Sequence, residues 1–212
     1  MNKIIDELSE RYPQLKGCEG DISKAYDILL ACCRAGGTVL TCGNGGSAAD
    51  AEHIVGELMK KFRKHRAIPS ALAAKLPPEL AAKLEGALPA VSLVSMSGIL
   101  TAFANDVAWE TAFAQQVLGL GRPGDVLIAL STSGNSANCV NAARVAQAKG
   151  LKVISLTGAG GGRLGALADA AIAVPETETY KIQELHLPIY HALCAALEDE
   201  LFASVASASA AG

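Results

Sequence analysis

Positive charge is scarce in this chain of 212 residues: 18 Lys and Arg stand against 21 Asp and Glu, the formal net charge is −3, and only 18% of residues are charged. A nucleic-acid footprint needs basic residues gathered on one face, so no DNA or RNA partner is expected. The one basic cluster, Lys60-Lys-Phe-Arg-Lys-His-Arg66, is short and reads as a solvated helix end or a phosphate-attracting rim. Long apolar runs are missing too, and without a stretch of about 20 such residues no membrane span is expected. The opening Met-Asn-Lys-Ile-Ile-Asp lacks the apolar region of a signal peptide, and a cytoplasmic protein is expected. The cysteines at 18, 32, 33, 42, 139 and 194 include no Cys-x-x-Cys pair. In a chain of this size they are expected to be reduced and mostly buried. Only Cys42, beside a glycine-rich turn, has a position of chemical interest. Internal repeats are not evident.

What the chain does contain is apolar residue in quantity, 50% of the total, arranged as alternating strands and helices. Short apolar runs at 37–42, 90–94, 125–130, 151–156 and 170–174 suit strands of a parallel sheet buried on both faces. Helices are expected at 21–34 and at 136–149, the second stopped by Gly150. The pattern predicts one α/β domain over residues 1–202, a three-layer αβα sandwich around a central parallel sheet. Residues 67–89, rich in Ala and Leu, predict two short helices around Pro77-Pro78, at 70–75 and 78–84. They form either a surface insertion or a flap beside a site, since long ordered loops are often functional. The Ala/Ser-rich tail at 203–212 is expected to be disordered.

Two strand-to-helix turns carry the first chemistry. Cys-Gly-Asn-Gly-Gly-Ser at 42–47 allows a tight turn that brings backbone amides near an anion at a helix start. By itself this is weak, and it lacks the Gly-x-Gly-x-x-Gly spacing of a dinucleotide fingerprint. Ser-Thr-Ser-Gly-Asn-Ser at 131–136 is stronger, because hydroxyls and amides can surround a phosphate without a buried lysine. An N-cap would account for Ser136 alone, but not for Ser131, Thr132 and Ser133 as well. The Gly158 to Gly162 run has no hydroxyl cluster and reads as a loose loop.

Two residue pairs at helical spacing carry the rest. His53 and Glu57 lie four apart, and Gln183 and His191 share a face over two turns. Each pair alone is more often surface or satisfied core than functional. Together with the two turns they describe a site, with a metal as one use of it.

These motifs, with Asn105-Asp106 and Ile182-Gln-Glu-Leu-His186, closely resemble those of sedoheptulose-7-phosphate isomerases in the sugar isomerase (SIS) domain superfamily, over about residues 20 to 202. The resemblance implies an SIS-type, flavodoxin-like fold and an aldose–ketose isomerase. Its members interconvert sedoheptulose 7-phosphate and D-glycero-D-manno-heptose 7-phosphate through an enediol, opening heptose biosynthesis. By position, Ser47, Ser131, Thr132, Ser133 and Ser136 would hold the phosphate, while Asn44, Asp106 and Gln183 would contact substrate. Glu57 would be the general base and His191 the general acid. His53, Glu57, Gln183 and His191 would ligate one Zn2+ per subunit. A homotetramer with sites at subunit interfaces is implied. Two departures stand out: the segment at 67–89 is longer than usual, and Lys61 stands where an arginine that contacts substrate is expected, which loses the bidentate fork. Alternative readings are a non-catalytic relative that binds the replication initiator, in which the positions of Glu57 and His191 would be replaced, and an isomerase or sensor for another phosphosugar.

Overall fold

The computed structural model describes residues 3–202; the expected disorder of the tail concerns residues outside that range. Helices α1 (Lys3–Arg11) and α2 (Glu19–Arg34) precede β1 (Val39–Cys42) and α3 (Gly46–Met59). Two single-turn helices follow, α4 (Ser70–Ala73) and α5 (Pro78–Ala81), then β2 (Ala90–Ser92), α6 (Ser97–Asp106), α7 (Ala112–Leu120) and β3 (Val126–Leu130). The chain closes with α8 (Ala137–Ala148), β4 (Lys152–Thr157), α9 (Gly162–Leu167), β5 (Ala170–Ala173) and the long α10 (Thr179–Leu201).

All five strands pair in parallel, in the order β2-β1-β3-β4-β5. Successive residues of a strand point to opposite faces, and the two cores divide accordingly. Val126, Ile128 and Leu130 join a cluster with residues of α1, α2, α3 and α10. Leu127 and Ala129 join another with residues of α6, α7, α8 and α9. The strands are therefore mostly apolar, with Thr41, Ser92, Ser155 and Thr157 buried among the apolar residues, as suits a sheet covered on both faces, and the expected αβα sandwich is what forms.

The order also fixes where a ligand can bind. β1 leads into α3 on one face and β3 leads into α8 on the other, so the β1 and β3 carboxyl ends flank a crevice at a topological switch point. Both motif-bearing turns lie there. The expected insertion forms two single-turn helices, with Leu72, Leu80 and Leu84 exposed. Lys61 is tied to it: its amide donates to Glu85 Oε2 at 3.0 Å and its ammonium lies 3.3 Å from Glu85 Oε1.

Candidate active site

The first turn is tight enough to dictate its sequence. A Cβ on Gly43 would fall 2.4 Å from the Ser47 carbonyl oxygen, so only glycine fits there. Ser47 itself is buried. Asn44 is joined to Asn138 of α8 by a reciprocal amide pair, with Asn44 Nδ2 to Asn138 Oδ1 at 3.0 Å and Asn138 Nδ2 to Asn44 Oδ1 at 2.8 Å. Asn138 had no sequence signal, because the pairing exists only once β1 and β3 are neighbours. Cys42 is fully buried beside Cys139, and that contact together with burial pushes its thiol well up. It is a packed apolar group here.

In the second turn Ser131 Oγ and Ser136 Oγ lie 2.9 Å apart. Ser136 is the N-cap residue of α8 yet makes no side-chain capping bond. Capping therefore does not account for its hydroxyl. Ser133 is exposed and its Oγ accepts the Asn135 amide at 3.1 Å, while the Thr132 carbonyl accepts the Gly158 amide at 2.9 Å. The 158–162 run proves to be a tight buttress: Gly134 has φ +64°, and a Cβ on it would fall 2.0 Å from the Gly161 carbonyl oxygen. Arg163, also without a sequence signal, donates to the Asn135 carbonyl at 2.9 Å.

A third group forms where α3 and α10 cross. His53 Nε2 lies 3.2 Å from Glu57 Oε1 and 3.5 Å from His191 Nε2. Glu57 is 8% exposed, and its other oxygen accepts from Lys60 Nζ at 3.3 Å. The His191 ring stands edge-on to His53 and Tyr190, at centroid distances of 4.9 and 5.0 Å. Burial and the neighbouring His53 lower the His191 pKa against the opposing pull of Glu57. His53 Nδ1 meets Tyr190 Oη at 3.0 Å, and Tyr190 Oη donates to Asp50 Oδ1 at 3.1 Å. Asp50 lies three residues before His53, so helical spacing could have found it; Tyr190 required the crossing.

The predicted residues thus fall into separate places. His53, Glu57 and His191 come together. Gln183 packs on the first turn of α3, where a Cβ on Gly46 would lie 2.7 Å from Gln183 Nε2. Asp106 is exposed at the end of α6 and accepts from Asn105 Nδ2 at 2.9 Å. Among the described residues no hydrogen bond joins the serine turn to the His53 group. A cleft of about 330 Å³ opens between α1, Phe62-Arg63 and α10, with His191 on its wall.

The basic cluster needs correction at one position, because Arg66 belongs neither to a solvated helix end nor to a phosphate-attracting rim. It is fully buried, donating from Nε to Glu198 Oε1 at 2.7 Å and from Nη1 and Nη2 to the Leu58 and Glu57 carbonyls at 2.7 and 2.9 Å. Those carbonyls lie in the last turn of α3, where unpaired acceptors attract a cation.

Comparison with known proteins decides the family. The family model for the SIS domain matches residues 5–88 and 79–158. The phosphoheptose isomerase of Rhodospirillum rubrum is 44% identical over 188 residues, 89% of this chain and 90% of that one. The chain belongs to the SIS domain family, among the phosphoheptose isomerases. The solved phosphoheptose isomerase GmhA of Neisseria gonorrhoeae superposes with a TM-score of 0.70 at 33% identity, over 92% of this chain and 97% of that one. The Francisella tularensis phosphoheptose isomerase gives 0.74 at 30% identity, over 89% and 91%.

In this phosphoheptose isomerase relative, the donor types at the α3–α10 crossing, two imidazoles and a carboxylate, are those that suit zinc. They stand as a hydrogen-bonded cluster, and among the described residues no three His, Cys, Asp or Glu side chains are arranged as a formed metal cage. Among the same residues, no helix is long and apolar enough to cross a membrane.

Proposed function

We propose that this chain interconverts sedoheptulose 7-phosphate and D-glycero-D-manno-heptose 7-phosphate through an enediol. The observation that carries the reading is the meeting of Glu57 with His53 and His191 where α3 and α10 cross, in a fold shared with phosphoheptose isomerases. Glu57 removes the proton from the carbon next to the carbonyl, and His191 moves the proton at oxygen. The lowered His191 pKa suits this, since its ring is largely neutral near pH 7 and can take and return a proton. Ser47, Ser131, Thr132, Ser133 and Ser136 hold the phosphate; the Ser136 hydroxyl left over from capping supports that role. Asn44, Asp106 and Gln183 orient the polyol.

His53, Glu57 and His191 would hold one Zn2+ per subunit, with Gln183 as the fourth ligand once its amide turns away from Gly46. The chemistry such an ion supplies is Lewis-acid polarisation of the sugar oxygens. A homotetramer with sites completed across interfaces is part of the reading, supported by the exposed Met59, Met96, Ile99, Val107 and Trp109. So is a cytoplasmic location, supported by six free cysteines.

The test is an NMR assay of sedoheptulose 7-phosphate in deuterated water, with other phosphosugars in parallel. Aldoheptose should appear, carrying solvent deuterium next to the carbonyl. If the heptose is inert while another phosphosugar reacts, the substrate is reassigned; if none reacts, the enzymatic reading fails. Mixing Ser131→Ala with His191→Ala subunits should restore activity if the serine turn and His191 meet across an interface.

A further inference from the structure

We infer that Asp50 and Tyr190 form a positioning relay that holds His53 in its Nδ1-protonated tautomer and turns the Nε2 lone pair toward Glu57 and His191. The hydrogen count carries it. The Asp50 carboxylate has no hydrogen to give, so in the 3.1 Å contact Tyr190 is the donor. The phenol has one hydrogen. Having given it to Asp50, its oxygen can only accept in the 3.0 Å contact with His53 Nδ1, and the ring must supply that hydrogen. A neutral imidazole protonated at Nδ1 has a bare Nε2. This Nε2 is the atom that lies 3.2 Å from Glu57 Oε1 and 3.5 Å from His191 Nε2.

A lone pair aimed at a carboxylate is repulsive unless a cation or proton lies between them. The relay thus prepares a place for positive charge, and it does so with residues outside the proposed substrate and zinc sets. Rigid elements set its aim: Asp50 and His53 lie one turn apart on α3, while Tyr190 is buried on α10 and its ring meets the His53 ring edge-on at 5.5 Å. A metal-ligating histidine generally donates its other ring N–H to an acceptor that fixes tautomer and ring orientation; here that acceptor is the Tyr190 oxygen, itself held by Asp50.

The inference rests on the reading that His53 belongs to the reacting centre, and its test separates the two. Selective 15N spectra of the histidine rings in the full-length, chelator-treated protein at pH 8 should show His53 protonated at Nδ1 and bare at Nε2, with His53→Ala giving the assignment. In Tyr190→Phe and Asp50→Ala that preference should be lost to the Nε2–H form. In competition with a chelator, both variants should bind Zn2+ about 10- to 100-fold more weakly than the unaltered protein. An Nε2–H ring in the unaltered protein overturns the relay, as does an unchanged ring in both variants when circular dichroism shows them folded. A tautomer that shifts as expected in a protein that binds no zinc keeps the relay and removes the metal from the proposed function.

Discussion

Two carboxylates lie within a short stretch of the α3–α10 contact, and their surroundings have opposite purposes. Glu198 is fully buried and accepts four bonds, from the amides of Phe62, Arg63 and Lys64 and from Arg66 Nε, at 2.7–3.0 Å. Burial alone would push its carboxyl up; the Phe62 and Arg63 amides and the Arg66 guanidinium outweigh that and hold it below the usual range. Glu57 has one imidazole and one exposed lysine as partners, at 3.2 and 3.3 Å. A saturated carboxylate has no capacity left for a substrate. One with a single long bond from a lysine, beside a half-exposed ring, keeps it. Satisfaction, more than burial, separates the clamp from the candidate base.

The comparison breaks most sharply on turnover. Glu57→Gln keeps size and hydrogen bonding but removes basicity, and loss of a positioned general base costs about 100- to 10,000-fold in rate. Its thermal midpoint should stay close to that of the unaltered protein. A Glu57→Gln enzyme that turns over the heptose phosphate at the original rate would falsify the assignment of the base.

Glu198→Ala should do the reverse. It leaves Arg66 as an uncompensated buried charge, a change that costs about 3–5 kcal/mol in other proteins, read from urea unfolding. Where the variant is still folded, kcat should fall far less than in Glu57→Gln. Equal losses of activity in the two would mean that clamp and site are one unit.

His186 sharpens the contrast by giving burial without saturation. It is fully buried, its Nε2 lies 3.2 Å from the Thr157 carbonyl, and Nδ1 has no partner among the described residues. Burial lowers its pKa from 6.5 to about 4, against the weaker opposing pull of the Thr157 carbonyl. The unfolded chain therefore takes up a proton that the folded chain refuses. This group's contribution is fully present above pH 6.5 and is lost as pH falls toward about 4. A shift of that size corresponds to about 3 kcal/mol. Urea unfolding at pH 7.5 and pH 4.5 should show a drop in the unaltered protein that is smaller in His186→Asn. Parallel pH profiles would mean that the imidazole is not held neutral.

The fold was legible because parallel strands covered on both faces leave short, largely apolar runs, and the five runs became the five strands with ends moved by one or two residues. The paired short helices around Pro77-Pro78 were legible from proline and composition. The clustering of His53 with Glu57 follows from spacing four on one helix. Tertiary partners were not legible. Arg66 sits in a basic run that looks solvated, and only the folded chain reveals that Glu198, far along the sequence, meets it. Asn138 and Tyr190 were hidden for the same reason: their partners lie on other elements, and the periodicity of one helix contains no information about a crossing. Gln183 shares a helix face with His191, yet its amide packs on Gly46, because two turns of helix separate the two positions by about 12 Å along the axis.

The smallest effect is expected where water does what protein does in the clamp. Lys152 Nζ lies 2.8 Å from Asp169 Oδ1, but the lysine side chain is 60% exposed and the aspartate 27%. Asp169 also accepts the Val153 amide at 2.9 Å. Burial raises its carboxyl, and the bonds from Lys152 and Val153 together outweigh that and hold it lower than usual. Lys152→Ala leaves the carboxylate hydrated and still bonded to the amide, so the cost should stay under about 1 kcal/mol. Raising salt should shrink it further, since exposed charges are screened. A larger loss that is indifferent to salt would mean that distance alone sets the worth of an ion pair in this protein, and the contrast between Glu198 and Glu57 would then need a cause other than how completely each carboxylate is satisfied.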